Sequence, residues 1–244
     1  MKMKRRILTL SIIAGLSALP ILSGAQDNTS DTNTPDSDQT VTTSDDDTNA
    51  PLKELMLKSD QVTNTVGIVL KKISPSFWAG MYEVTQKTYE KVMGSNPSAF
   101  QGGDHPVDSV SWNDAMAFCE KLTGKEQKAG ELPKHFVYAL PTQAQWEQLV
   151  DDTPASDAVM SLSLPRRSST EPVGSLAPNN LGLYDIRGNV MEWCLDPQDK
   201  PYRVLRGGAW DTYIDINARP EFHEYAAPDK AKNDYGFRVV LGPQ

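Results

Sequence analysis

The stretch Gly182-Leu183-Tyr184-Asp185-Ile186-Arg187-Gly188-Asn189-Val190-Met191-Glu192-Trp193 decides how the chain is read. Its two glycines let the backbone bend where a side chain would collide. Leu183 and Ile186, with Leu181 just before them, supply apolar anchors for a tight, buried turn. Glu192 follows Asn189 by three residues, so an amide oxygen, a carboxylate and the carbonyls between them, including that of Val190, can surround a hard cation such as calcium. Equally, Asn189 can close a turn while Glu192 pairs with an arginine. Trp193 reads as core.

Working outward, the chain supplies two helix starts with clear caps. Ser111 precedes a stripe of Ala115, Phe118, Cys119 and Leu122 at i, i+3, i+4 and i+7, and Gly124 follows it. Thr142 and Gln145 form a capping-box pattern ahead of Trp146, Leu149 and Val150. A shorter helix follows Thr85, with Tyr89, Val92 and Met93 on one face and Gly94 as its stop. Strands are expected over Val66 to Ile73, Tyr202 to Arg206 and Gly236 to Leu241, with the first and last close together. The class is α+β with long irregular loops.

The N-terminus reads as an export signal. Lys2, Lys4, Arg5 and Arg6 precede an apolar run from Ile7 to Leu22, and Ser23-Gly24-Ala25 supplies the small residues of a cleavage site. Cleavage after Ala25 would leave no transmembrane segment in the mature chain and place it in the periplasm or outside the cell. Residues 26–51 hold seven aspartates and no Lys or Arg. They cannot bury enough apolar surface to offset backbone ordering, so the reading is a signal over 1–25, an acidic linker over 26–60 and one folded domain over 61–244. After the signal, 20 basic residues face 32 acidic ones, a formal charge of −12. Nucleic acid requires a basic footprint and is excluded as a partner.

The remaining chemistry is sparse. His105, His135 and His223 have no metal-motif spacing. There is no Gly-x-Ser-x-Gly elbow, phosphate loop or dinucleotide fingerprint. Cys119 and Cys194 are the only cysteines, and either a disulfide or two buried hydrophobes fits them.

Gly182 to Trp193 resembles the G-L-Y-D-x-x-G-N-V-x-E-W signature of the sulfatase-modifying-factor family, whose best-known members are formylglycine-generating enzymes. Further pieces follow in the family's order: Tyr82-Glu83-Val84-Thr85, Pro106-Val107 through Ser111-Trp112, Leu140-Pro141-Thr142 through Trp146-Glu147, Arg206-Gly207-Gly208-Ala209-Trp210 and Gly236-Phe237-Arg238. The resemblance covers about residues 65 to 242 and implies a fold similar to a C-type lectin. It also implies two cysteines after the Gly-Gly bend that bind copper(I). Thr212 and Asn217 hold those positions, and Ala209 replaces the usual serine, so copper is not expected. One of the family's calcium sites belongs to an insertion that residues 151–171 lack. The other, at Asn189, Val190 and Glu192, is expected to hold structural calcium.

With the thiols gone, the expected function is a noncatalytic binding or structural module. The alternative is an oxidoreductase of the same family acting on a protein or thiol substrate through an unrecognised site. In lectin-like relatives the segment between the Gly-Gly and Gly-Phe-Arg motifs is the ligand surface, which here makes Tyr213, His223 and Tyr225 the candidate contacts. The expected partner is an envelope or extracellular protein or glycan. Trp210 and Tyr235 are expected in the core.

Overall fold

The computed structural model of the chain describes residues 50–151, 158–162, 165–196, 201–213 and 219–244. The expected signal and most of the acidic linker lie outside the described residues, as does Asn217.

Order begins earlier than the sequence suggested. Helix α1, Leu52–Lys58, and strand β1, Gln61–Thr63, are formed, and Leu52 and Met56 are buried in the main core. The expected linker boundary at residue 60 is therefore corrected to before Leu52. The reason is local. Two apolar residues at i and i+4 share one helical face, and Glu131 accepts the Leu52 backbone N–H through its side chain and the Lys53 N–H through its carbonyl. With Pro51 at the N-cap making no side-chain bond, the helix carries no cap signal in its sequence.

Strands β2, Val69–Ser74, and β3, Phe77–Gly80, form a hairpin whose register sets Leu70 opposite Gly80 and Lys72 opposite Trp78. The capped helices form as expected. In α2, Gln86–Met93, the Thr85 side chain accepts from Thr88 N, and Gly94 closes the helix at φ 92°. In α3, Trp112–Lys128, Ser111 and Asp114 complete a reciprocal capping box and bury Ala115, Phe118, Cys119 and Leu122. Strand β4, Phe136–Ala139, leads to α4, Gln143–Val150, where Thr142 and Gln145 form the second capping box.

The remaining strands are β5, Met191–Trp193; β6, Arg203–Arg206; β7, His223–Ala226; β8, Tyr235–Gly236; and β9, Val240–Pro243. They divide between two sheets, of order β1-β2-β3-β9-β4 and β7-β6-β5-β8. The expected closing strand Gly236 to Leu241 is thus two strands. Tyr235 and Gly236 pair in parallel with Met191 and Glu192, and then the chain crosses through Phe237, Arg238 and Val239 to the other sheet. There β9 lies between β3 and β4, in the same sheet as the opening strand β2 and one strand away from it.

One core spans both sheets. Leu70, Trp78, Tyr138 and Leu241 from the first join Met191, Trp193, Leu205 and Tyr235 from the second, with Tyr89 and Phe118 from the helices. Phe237 is in edge contact with Phe118 at 5.3 Å and with Tyr89 at 6.3 Å. Gly236 is a close approach, since a Cβ there would lie 2.6 Å from the Val107 carbonyl oxygen. Cys119 and Cys194 are free and buried. Among the described residues no helix is long and apolar enough to cross a membrane.

If α1 belongs to the folded unit, Leu52→Ala should destabilise it by about 2–5 kcal/mol, as for a buried leucine elsewhere. Equilibrium urea unfolding measures this, and a change within error would return residues 52–58 to the linker.

Candidate functional site

The Gly188-Asn189 turn and the loop after β6 are assembled on a buried polar centre. Arg238, fully buried at the crossing between the sheets, donates from Nε to Glu192 Oε1 at 3.0 Å, from Nη1 to the Gly80 carbonyl at 2.9 Å and from Nη2 to the Tyr184 carbonyl at 2.7 Å. Its Nη2 also stands 2.8 Å from Glu192 Oε1. The other oxygen of Glu192 accepts from Trp146 Nε1 at 3.0 Å. Glu83, buried nearby, accepts from Val190 N at 3.0 Å and from Asn189 Nδ2 at 2.8 Å. Burial, then the neighbouring Asp185 and Glu192, push the Glu83 carboxyl well above the usual range.

The side chains expected to hold calcium have protein partners in this geometry. Asn189 turns its side chain to Glu83 and to the backbone of Glu171, whose N–H its Oδ1 accepts, while Glu192 turns to Arg238 and Trp146. Val190 serves through its N–H, a donor. The side-chain oxygens of Asn189 and Glu192 are thus engaged by protein donors and turn to different partners. The reading of Glu192 as an arginine's partner is the one realised. Among the described residues no group of three or more His, Cys, Asp or Glu can hold a metal ion. In the sequence Arg238 and Glu83 stand only as pieces of motifs. Their partners lie tens of residues away, and no local pattern signals them.

Asn189 occupies a left-handed conformation at φ 59°, one that Asn tolerates, after Gly188 at φ 86°. A Cβ at 188 would come within 2.5 Å of the Val159 carbonyl oxygen. From this turn the Asn189 carbonyl accepts the Trp210 N–H, which fixes the loop after the Gly207-Gly208 bend. Within that loop Ala209 N donates to Thr212 Oγ1 at 2.9 Å and Thr212 N donates back to the Ala209 carbonyl at 3.0 Å. The hydroxyl at the first thiol position therefore closes a turn. Trp210 is half-buried, edge-on to Phe100 at 5.2 Å, and Tyr235 is fully buried.

Tyr213 and Tyr225 are 55 % and 58 % exposed. They do not form one described cluster. Tyr213 lies under the Arg166 guanidinium at 4.1 Å, whereas Tyr225 meets His223 edge-on at 5.0 Å on β7. Between them on that strand, Glu224 turns inward to bond the Tyr235 hydroxyl and Lys232. Nearby Asp234 has a buried Oδ1 with no hydrogen-bond partner, and burial, with Asp211 next in effect, pushes its carboxyl up to about 6.

Two predictions follow from these placements. Glu192→Gln leaves Arg238 without its carboxylate and should cost about 3–5 kcal/mol, as for a broken buried pair. Chelation should leave the wild-type melting temperature unchanged if the pair alone holds this turn, and a chelator-sensitive melt that the variant loses would support the calcium site instead. For Asp234 the folded state holds its proton more tightly than the unfolded chain. Its contribution is present at low pH and lost as pH rises from about 3.8 through about 6. Asp234→Asn should flatten urea stability across that window and raise it at neutral pH, and an unchanged pH slope would contradict the assignment.

A family model described as the sulfatase-modifying factor enzyme 1-like domain matches residues 69–242. The chain is 30 % identical over 223 residues to the chaperone protein LppX of Paenibacillus barcinonensis, covering 67 % of this chain and 79 % of that one. It is 30 % identical over 167 residues to the inactive C-alpha-formylglycine-generating enzyme 2 of Bos taurus, covering 57 % of this chain and 51 % of that protein. Among solved structures, Treponema denticola variable protein 1 superposes with a TM-score of 0.60 at 26 % identity, over 76 % of this chain and 92 % of that one. The architecture is the C-type-lectin-like fold of formylglycine-generating enzymes.

Proposed function

This chain belongs to the sulfatase-modifying-factor family, and we propose that it is an exported module that binds an envelope partner without performing the family's oxidation. The observation that carries the reading is the fate of its thiols. Thr212 stands at one copper position with its hydroxyl committed to Ala209 N. The chain's two cysteines are sealed in the core, where burial pushes both thiols well up and away from the reactive thiolate. Neither can move to the loop without dismantling α3 or the end of β5.

A relative described as an inactive enzyme and another described as a chaperone agree with a binding role. The chaperone makes a protein partner the preferred class over a glycan. Export rests on the basic, apolar and small-residue order of the first 25 residues. The binding surface is assigned to the exposed Tyr213, His223 and Tyr225, since an exposed tyrosine offers a large ring and a hydroxyl at modest entropic cost.

The test is mass-spectrometric. Incubated with copper and a sulfatase-type cysteine peptide, the protein should give no more formylglycine than copper alone, and protein-dependent conversion would overturn the reading.

A further inference from the structure

Two carboxyl groups at one end of α3 fasten the two ends of the N-terminal element. Glu131 accepts the Leu52 N–H at the start of α1, at 2.7 Å. Glu126, in the last turn of α3, holds the turn between β1 and β2, where its Oε1 accepts the Thr65 N–H at 3.1 Å and the Thr65 hydroxyl as well. Glu126 is fully buried, and its Oε2 has no hydrogen-bond partner among the described residues. Thr65 itself is exposed, so a displacement of this turn brings water to the carboxyl. Within the turn, Asn64 Oδ1 gathers the N–H groups of Val66, Gly67 and Ile68, so these residues move as one piece. Gly67, Ile68 and Val69 line an open cavity of about 410 Å³ with Val84, Thr88 and Val173, which gives the turn room to move.

Negative charge on Glu126 is opposed by its surroundings. Burial is the largest cause and pushes the carboxyl up, the two bonds from Thr65 work against that rise, and the like charge of Glu131 adds to it while Lys125 lowers it. The carbonyl end of α3 acts in the same sense as burial, since the helix dipole disfavours an anion in the last turn. Two further titratable groups pack around the turn. The Tyr138 hydroxyl of β4 accepts from Asn64 Nδ2 at 3.0 Å and is itself pushed up by burial and then by Glu126, and Lys91 of α2 donates from Nζ to the Thr65 carbonyl at 3.1 Å. An ionised Glu126 leaves a charged oxygen sealed from every donor. A carboxylic acid with its proton on Oε2 leaves only a neutral hydroxyl there, a smaller cost, and keeps Oε1 as the acceptor for Thr65.

We propose that Glu126 is a proton-operated latch: as a carboxylic acid it seals the β1–β2 turn onto the end of α3, and on ionising it lets the turn lift off. The sealed state holds the proton more tightly than the opened one. Sealing is therefore strongest at low pH and weakens as pH rises above about 4.5, the ordinary value to which the opened carboxyl returns, until Glu126 has ionised in the sealed state as well. The Asn64 bond to Tyr138 carries no charge and stays in place over this range, which keeps the opening local to residues 65–68.

NMR of the full chain tests the latch with two readouts, the Glu126 carboxyl shift and the exchange protection of the turn amides, each followed as a function of pH. The carboxyl should titrate above its ordinary value. Protection of the Thr65, Val66, Gly67 and Ile68 amides should fall as pH rises, by at most about tenfold per pH unit, the limit for one linked proton, and level off once Glu126 has ionised. Glu126→Gln keeps an oxygen for Thr65 and carries no charge. It should remove the pH slope and leave these amides better protected than in the wild type at neutral pH. A Glu126 carboxyl that titrates at or below its ordinary value, turn amides whose protection ignores pH in the wild type, or an unchanged slope in the folded Gln variant would each overturn the latch. Should that variant fail to fold, the wild-type carboxyl titration and amide slope decide.

Discussion

The buried pair of Arg238 and Glu192 holds the two halves of this fold together. Arg238 sits where the chain leaves one sheet for the other, and its guanidinium reaches the end of β3 through Gly80, the Tyr184 turn and β5 through Glu192. Trp146 of α4 closes the remaining carboxylate oxygen. Desolvating two charges is costly, and the arrangement is tolerable because both oxygens of Glu192 and all three guanidinium nitrogens find partners. Its stabilising effect is therefore conditional on the whole set, and loss of one member leaves a charge stranded in the core.

Around that pair the polar interior continues through Glu83, Asn189 and Val190, and from the Asn189 carbonyl to Trp210. The loop after the Gly-Gly bend is positioned by this chain of hydrogen bonds. The loop's shape is thus set by backbone groups and by the Thr212 hydroxyl. Thr212 contributes directly, since its hydroxyl accepts the Ala209 N–H and closes the turn at the position that the family resemblance assigns to a thiol.

The elements with capping chemistry were legible in the sequence because a cap is local. Ser111 with Asp114, Thr142 with Gln145 and Thr85 with Gly94 mark their helices within a few residues of one another. Helix α1 was not legible. It has two buried residues and no side-chain cap, and it follows a stretch whose composition argues for solvation. The division of Gly236 to Leu241 between two sheets was hidden for a related reason, since an apolar run reads the same whichever sheet receives each half.

What the sequence determined by itself was the family, the three capped helices, the missing thiols and the residue types of the candidate surface, because each of these is carried by residue identity or short spacing. The tertiary structure decided where the polar residues of the motifs point. Asn189 and Glu192 are three residues apart, yet one serves Glu83 and the other Arg238, because Asn189 sits in the left-handed turn before β5 and Glu192 lies within the strand. It also decided that Glu126, in the last turn of α3, is buried against Thr65 of the turn between β1 and β2. Pairings across tens of residues depend on how the sheets close, and no short window of sequence contains that information.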